Sequence, residues 1–160
     1  MFNLSLFLIA AAIVGLDRWT KHLVLVNIPL NAEVPLLPGV VHLTYLQNSG
    51  AAFSMLQGQR TYFVIITVLF LGAFIFLAWK KTLPRFYLIL LACIAGGAVG
   101  NFIDRMAYGY VVDMIEVEFI RFAVFNVADV FITVGAILLV IYALFIDKSD
   151  KKPAGPEEKK

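Results

Sequence analysis

Residues 61–79 read TYFVIITVLFLGAFIFLAW, a run in which Thr67 is the only polar side chain of the interior. A helix rises about 1.5 Å per residue, so roughly 20 apolar residues cross the hydrocarbon core of a bilayer. A stretch of this length without a charge is typical of a transmembrane helix that faces lipid. The run therefore predicts that the chain lies in a membrane.

Three further stretches have the length and composition of membrane spans: Phe2 to Val26, Phe86 to Ile103, and Asn126 to Ile146. Hydrophobic residues make up 61% of the 160 residues, above the roughly 45–50% of soluble domains. We expect an all-α integral membrane protein with four transmembrane helices, formed by residues 1–146 as a single domain. The first stretch is predicted to be a retained span, because it lacks the basic start and small-residue cleavage site of a signal peptide.

The remaining composition excludes several classes of protein. A net charge of +2 without a basic patch argues against nucleic-acid binding. Cys93 is the only cysteine, so we expect it to pack inside a helix rather than form an internal disulfide or a cysteine metal site. Residues 147–160, with two prolines and mixed charges, are predicted to form a disordered cytoplasmic tail.

The distribution of basic residues predicts the orientation in the membrane. One side carries Lys80, Lys81, Arg85 and five lysines of the tail, Lys148, Lys151, Lys152, Lys159 and Lys160. The other side carries only Arg60, Arg105 and Arg121. We therefore expect both termini in the cytoplasm and the two longer loops outside.

Those outer loops carry their own structural signals. Apolar and polar residues alternate from Val40 to Gln47 and from Ile115 to Phe119, which predicts two short, half-exposed strands. Pro35, Pro38 and Gly39 predict turns before the first strand. The run Ala51–Leu56 favours a short surface helix. Together these elements predict a small extracytoplasmic β platform above the helices.

The polar residues of the spans concentrate at one depth. At about 1.5 Å per residue, Asp17 lies roughly 22 Å and Lys21 roughly 28 Å along the first span. Asn101 and Asp104 lie roughly 22 and 27 Å along the third. Asp129 begins the fourth span, and Asp113 lies in the loop before it. The acids therefore converge on the outer face of the membrane.

Several of these residues also have a structural explanation. Asp17 and Lys21 are four residues apart, so they can form an ion pair on one helix face. Asn126 followed by Asp129 is the pattern of a helix cap. Asp104 and Arg105 could form an ordinary interfacial pair. The gathering of all these polar residues at one face is harder to explain by structure alone than any single residue. Charges buried in a membrane are costly unless they form ion pairs or take part in the function of the protein.

Two neighbouring carboxylates that share a proton can act as general base and general acid in peptide hydrolysis. Asp113 and Asp129 are the candidates for this aspartic-protease chemistry. A zinc protease is disfavoured, since His22 and His42 are the only histidines and no HExxH motif occurs. A Ser–Lys pair of Ser49 or Ser54 with Lys21 stays open, as does a transporter or proton-relay subunit.

The sequence resembles the bacterial lipoprotein signal peptidases (signal peptidase II) over nearly its whole length before the tail. The resemblance rests on five motifs in order: D-x-x-T-K at 17–21, N-x-G-A-A-F at 48–53, G-N-x-x-D-R at 100–105, V-V-D at 111–113 and N-x-A-D at 126–129.

The resemblance implies a metal-free aspartic peptidase without cofactors, with Asp113 and Asp129 as its catalytic pair. It implies cleavage of diacylglyceryl-modified prolipoproteins just before the lipidated cysteine, contact with membrane lipids and inhibition by globomycin-like cyclic peptides. It also implies substrate-binding or supporting roles for Asp17, Lys21, Asn48, Gly50, Asn101, Asp104, Arg105 and Asn126. We expect a monomer.

Three positions depart from the pattern common in that family. Gln47 stands where many members have Arg, Met114 where Phe is usual, and Val130 where Ser is usual. None of these changes removes a carboxylate. We expect them to affect the preference for substrates or inhibitors rather than the activity itself.

Overall fold

The computed structural model describes residues 4–50, 55–80 and 83–146. Within them are four long helices: α1 (Leu4–Asn27), α2 (Arg60–Lys80), α3 (Arg85–Ala107) and α4 (Val127–Ile141). The last continues as a π-helical segment, Tyr142–Ile146. Three strands, β1 (Glu33–Leu37), β2 (Val41–Asn48) and β3 (Val111–Val117), lie in the connections between helices.

Three segments of the described chain are long and apolar enough to cross a membrane: α2, α3 and the segment Val127–Ile146. About 44% of the apolar stretch of α3 is buried inside the protein, against 11% for α2 and 6% for the α4 segment. The chain therefore has a central apolar helix, α3, and two apolar helices with largely exposed surfaces. The helix α1 differs, because Asp17, Arg18 and Lys21 interrupt its second half.

The central helix α3 packs closely against its neighbours at glycines. A Cβ added at Gly96 would lie 2.9 Å from the Ala10 carbonyl oxygen of α1, and one at Gly100 would lie 2.5 Å from Asp17 Oδ2. Gly96 and Gly100, four residues apart, thus form the contact surface with α1. Small residues at this spacing let two helices approach closely.

The sheet is antiparallel in the order β1-β2-β3 and packs on the C-terminal end of α1. A buried apolar cluster joins the two parts: Val24, Ile28, Tyr45, Val112 and Met114. A second cluster joins α1, α2 and α3: Leu6, Phe74, Ala78, Leu88, Ala92 and Ala95. The predicted platform is therefore present, although its three strands make "all-α" too narrow a description of the fold.

Two predictions about the strands were wrong. The strand expected at residues 115–119 runs from Val111 to Val117, so Asp113 lies within a strand and not in a loop. Residues 111–114 are buried on both faces, which removes the alternation that marks a half-exposed strand. The segment Glu33–Leu37 is strand β1 rather than a turn; it is an edge strand, where a proline such as Pro35 is tolerated.

The predicted surface helix and tail fall largely outside the described residues. Of the run 51–56, only Met55 and Leu56 are described, and they lie in a turn where Leu56 has a φ of 55°. The predicted disordered tail, residues 147–160, lies entirely outside the described chain.

Candidate active site

A buried cluster of charges joins α1 to α3 near the sheet. The ammonium of Lys21 lies 2.9 Å from Asp17 Oδ2 and 2.8 Å from Asp104 Oδ2, and all three side chains are inaccessible to solvent. Arg18 forms a second ion pair with Asp104. Two cations thus neutralise two carboxylates, as expected for charges that are removed from water.

The same carboxylates also hold the backbone of neighbouring elements. Asp17 Oδ1 accepts a hydrogen bond from the N–H of Ala128, in the first turn of α4, over 3.0 Å. Asp104 Oδ2 accepts one from the N–H of Val112, in β3, over 3.1 Å. The cluster therefore ties α1 and α3 to the two elements that carry Asp113 and Asp129.

Asp113 is held by two side-chain amides. Asn48 of β2 donates from Nδ2 to Asp113 Oδ2 over 2.8 Å, and Asn126 donates from Nδ2 to Oδ1 over 2.7 Å. Burial, followed by the charge of Asp129, raises the pKa of Asp113 from 3.8 to about 7, against the opposing effect of the two amides. Asp113 can therefore carry a proton near neutral pH.

Asp129 lies in the first turn of α4. Its Oδ1 accepts a hydrogen bond from Asn101 Nδ2 over 2.7 Å, and its Oδ2 accepts one from the N–H of Asn126 over 3.1 Å. Asn126 is the N-cap of α4, as its pattern predicts, and forms a capping box with Asp129. Asn126 consequently contacts both Asp113 and Asp129.

Both aspartates line a cavity of about 360 Å³. In the described chain, its other polar lining residues are Asn48, Asn101, Arg105 and Thr133, and Gly50 lines it with its backbone. An apolar wall is formed mainly by Val111, Phe122, Val124, Phe125, Val130 and Val134. A site with two carboxylates, amide donors and an apolar wall suits a substrate that is part peptide and part hydrocarbon.

Arg105 lies at the edge of this cavity without an ion pair in the described part of the chain. It donates from Nη2 to the carbonyl oxygen of Gly50 over 3.0 Å, and its guanidinium lies 4.5 Å from the centre of the Phe63 ring. The alternative interpretation of Asp104 and Arg105 as an ion pair is therefore wrong, because Asp104 is held by Arg18 and Lys21.

The structure divides the predicted site residues into two groups. Asn48, Gly50, Asn101, Arg105, Asp113 and Asp129 line the cavity, and Asn126 bridges the aspartates. Asp17, Lys21 and Asp104 lie behind it, in the buried charge cluster. Sequence reasoning missed Arg18 as a member of this cluster; its position beside Asp17 was the available signal.

The Ser–Lys alternative gains no support from the described residues. Lys21 is held by Asp17, Asp104 and Asn101. Ser49 does not line the cavity, and Ser54 lies outside the described chain. His42 contacts Glu118, next to the end of β3.

The chain is similar to known proteins over most of its length. A family model described as signal peptidase (SPase) II matches residues 9–145. A lipoprotein signal peptidase of Streptococcus thermophilus (strain CNRZ 1066) is 53% identical over 131 residues, which cover 81% of this chain and 86% of that protein. Those of Streptococcus pyogenes serotype M5 (strain Manfredo) and Enterococcus faecalis (strain ATCC 700802 / V583) are 49% and 43% identical, covering 88% and 91% of this chain and 91% of each of those proteins.

Two solved structures have the same fold. Both are described as bacterial membrane enzymes determined by the in meso method, at 2.3 and 1.9 Å resolution. The first is 34% identical with a TM-score of 0.86, and covers 96% of this chain and 95% of that chain. The second is 33% identical with a TM-score of 0.82, and the match covers 92% of this chain and 97% of that chain.

Proposed function

The chain belongs to the signal peptidase II family, aspartic peptidases that remove signal peptides from prolipoproteins, and on this premise we propose that Asp113 and Asp129 are its catalytic pair. The observation that carries the proposal is that both carboxylates line one cavity and are joined through Asn126. Because the chain belongs to a peptidase family, the alternative of a transporter or proton-relay subunit is dropped.

The proposed reaction is hydrolysis of one peptide bond by water. One aspartate takes a proton from the water, whose oxygen forms a bond to the carbonyl carbon, while the other donates its proton to the carbonyl oxygen. Collapse of the tetrahedral intermediate breaks the C–N bond, and a proton passes to the leaving amine. The raised pKa of Asp113 supports such a pair, since one member must hold a proton.

The supporting residues have separate proposed roles. Asn48 and Asn126 orient Asp113, whereas Asn101 orients Asp129. Arg105 uses part of its five-donor fork on the carbonyl oxygens of Gly50 and Asn101, and we assign its remaining donors to carbonyl oxygens of the substrate peptide. The cluster of Asp17, Lys21 and Asp104 braces these elements from behind the cavity.

We propose diacylglyceryl-modified prolipoproteins as the substrates, cut just before the lipidated cysteine. The proposal is supported by Val130 and Val134, which line the cavity and are themselves exposed on α4. An acyl chain held beside them would bring the adjacent peptide bond to the carboxylates. Globomycin-like cyclic peptides would compete with the substrate for this cavity. We expect the preference for particular substrates or inhibitors to depend on Gln47, Met114 and Val130.

We propose that α1 is a fourth span, with both termini in the cytoplasm and the site at the outer face of the bacterial inner membrane. Its 24 residues are long enough, and Asp17 and Lys21 are buried against α3, while the half-buried Arg18 is paired with Asp104. The excess of basic residues in the loop 80–85 and in the tail supports this orientation. We further propose that the enzyme acts as a monomer without a metal, so chelators should leave its activity unchanged.

The decisive experiment measures processing of a lipidated prolipoprotein by the purified protein in lipid nanodiscs. Asp113→Asn and Asp129→Asn should each lower kcat by about 10²–10⁴-fold or more, because each removes a proton-transfer group. Glu33→Gln is the matched control, since this acidic side chain is 60% exposed on the sheet. If either aspartate variant keeps the turnover of the wild type, the assignment of the pair is wrong.

Asp104→Asn belongs in the same assay, because Asp104 is the carboxylate that could take the place of Asp113 in the catalytic pair. It does not line the cavity, and it partners Arg18, Lys21 and the backbone of Val112. Removing one partner of a buried ion pair costs about 3–5 kcal/mol, so we expect a marked loss of thermal stability. Complete loss of turnover in a stably folded Asp104→Asn protein would argue for a direct role of Asp104.

A further inference from the structure

We propose that Lys21 is a positioning residue that acts through Asn101 to keep Asp129 ionised, which makes Asp129 the proton acceptor and Asp113 the proton donor. This inference rests on the proposed function, because it assigns separate roles within the catalytic pair. Lys21 itself lies behind the cavity and does not line it.

The first step is the environment of Lys21. Its ammonium is fully buried and contacts three oxygen atoms, those of Asp17 and Asp104 described above and Asn101 Oδ1 at 2.8 Å. An ammonium has three N–H donors and no acceptor. An amide side chain that forms a hydrogen bond with Lys21 must therefore accept it through its oxygen atom.

This requirement determines the orientation of the Asn101 amide. With Oδ1 directed at Lys21, the amide nitrogen Nδ2 is directed at Asp129 Oδ1, 2.7 Å away. The reverse orientation would place an NH₂ group against an ammonium and a carbonyl oxygen against a carboxylate. Lys21 thus selects the state of Asn101 that donates to Asp129, and its charge polarises that N–H bond.

Asp129 also lies where a negative charge is favoured. It occupies the first turn of α4, where the helix dipole stabilises an anion, and accepts a hydrogen bond from the backbone N–H of Asn126. The charged groups around it come from every neighbouring element: Asp17 and Lys21 from α1, Asp104 and Arg105 from α3, and Asp113 from β3. Since the buried cluster behind is neutral overall, Arg105 is, among the described residues, the cation left to balance one ionised aspartate.

Asp113 lacks these advantages. It lies within a strand rather than at a helix terminus, and its two hydrogen-bond donors, Asn48 and Asn126, are neutral amides. Its raised pKa of about 7 agrees with a carboxyl group that retains the proton while Asp129 is charged. One proton and one cation then leave the site electrically neutral.

The assignment specifies each proton transfer. Asp129 removes a proton from water as the water oxygen bonds to the carbonyl carbon, and Asp113 gives its proton to the carbonyl oxygen. As the C–N bond breaks, Asp129 returns its proton to the leaving amine, and the hydroxyl proton returns to Asp113. The pair ends in its starting state, and one water molecule is consumed.

The test is the pH profile of kcat/KM for prolipoprotein cleavage. Its acidic limb reports the pKa of the proton acceptor, Asp129, and its alkaline limb reports the pKa of the proton donor, Asp113. Asn101→Ala removes the hydrogen bond to Asp129 while leaving the charge cluster in place. We expect its acidic limb to move to higher pH by about one to two units, with the alkaline limb unchanged. Asn101→Leu, which has a similar size but can neither accept from Lys21 nor donate to Asp129, should move the acidic limb at least as far.

Lys21 is tested by the charge-matched double variant Lys21→Gln with Asp17→Asn, which we expect to move the acidic limb in the same direction. The matched control is Asn48→Ala, which removes a donor from Asp113 and should raise the alkaline limb alone. Thermal unfolding checks that each variant is folded. If the double variant does not fold, the two Asn101 variants decide the outcome, because they retain the buried ion pairs.

Two results would overturn the inference. One is a fall in kcat/KM with neither limb displaced, which indicates a purely structural role for Lys21 and Asn101. The other is a crossed pattern, in which Asn101→Ala moves the alkaline limb and Asn48→Ala the acidic one, which reverses donor and acceptor. Both differ from failure of the proposed function, in which Asp113→Asn or Asp129→Asn would retain turnover.

Discussion

Asn126 and Asp129 hold each other in both directions: Asn126 Oδ1 accepts from the N–H of Asp129 over 3.0 Å, and Asp129 Oδ2 accepts from the N–H of Asn126 over 3.1 Å. This capping box begins α4 and at the same time fixes the carboxylate of Asp129. The capping and catalytic interpretations of these residues are therefore compatible, because one set of hydrogen bonds serves both.

The side chain of Asn126 has a second partner. Its Nδ2 donates to Asp113 Oδ1 over 2.7 Å, while its Oδ1 is used in the box. A single amide thus joins the strand that carries Asp113 to the helix that carries Asp129. This side chain is the direct link between the two carboxylates.

Replacing Asn126 should separate its two roles. Ser is a good N-cap, so Asn126→Ser should retain the start of α4 but lose the hydrogen bond to Asp113. Asn126→Ala should lose both and be less stable than the serine variant by about 1 kcal/mol. We expect both variants to have much lower kcat, measured by prolipoprotein cleavage, with stability measured by thermal unfolding in detergent. Full activity of Asn126→Ser would show that Asp113 does not need this donor.

The buried Asp113 should make stability depend on pH. Its pKa is raised in the folded protein, so its contribution to stability is greatest below about pH 4 and is lost as pH rises to about 7. Asp113→Asn does not titrate at this position. The Tm of the variant relative to that of the wild type should therefore increase from pH 4 to 7 and stay level above that range. The corresponding difference in the free energy of unfolding changes by at most about 1.4 kcal/mol per pH unit.

The control for this experiment is Gly72→Ala, which introduces no titrating group. The difference between its Tm and that of the wild type should therefore be the same at every pH. Thermal unfolding of the three proteins across the pH range provides the measurement. A constant Tm difference between Asp113→Asn and the wild type would contradict the burial of an ionisable carboxyl at position 113.

The packing of α3 against α4 should tolerate little added volume at Gly97. A Cβ there would lie 2.5 Å from the carbonyl oxygen of Ala128 and 2.9 Å from Ile132 Cγ1. Gly97→Ala should cost about 1–3 kcal/mol of stability and lower kcat, because it moves Asp129 away from Asn101. Gly72→Ala is the matched control, since a Cβ at Gly72 meets nothing within 4 Å. Equal effects of the two substitutions on Tm and kcat would contradict this close approach.

Much of the architecture could be predicted from local sequence patterns. The helix ends lie within a few residues of the predicted spans, the Asp17–Lys21 pair forms at its four-residue spacing, and Asn126 caps α4. Strand β3 was placed four residues too late, because the buried residues around Asp113 show no alternation. Strand β1 was missed, since Pro35 and its neighbours also match a turn.

The sequence by itself determined the apolar helices, the capping box and the convergence of acids at one end of the spans, because these depend on composition and on spacings within one helix. Only the tertiary structure decided which polar groups meet. Asp113 reaches Asn126 through the pairing of β3 with β2, and Lys21 reaches Asn101 because glycines let α3 approach α1. Such contacts depend on the register of strands and the distance between helices, which no local pattern of residues specifies.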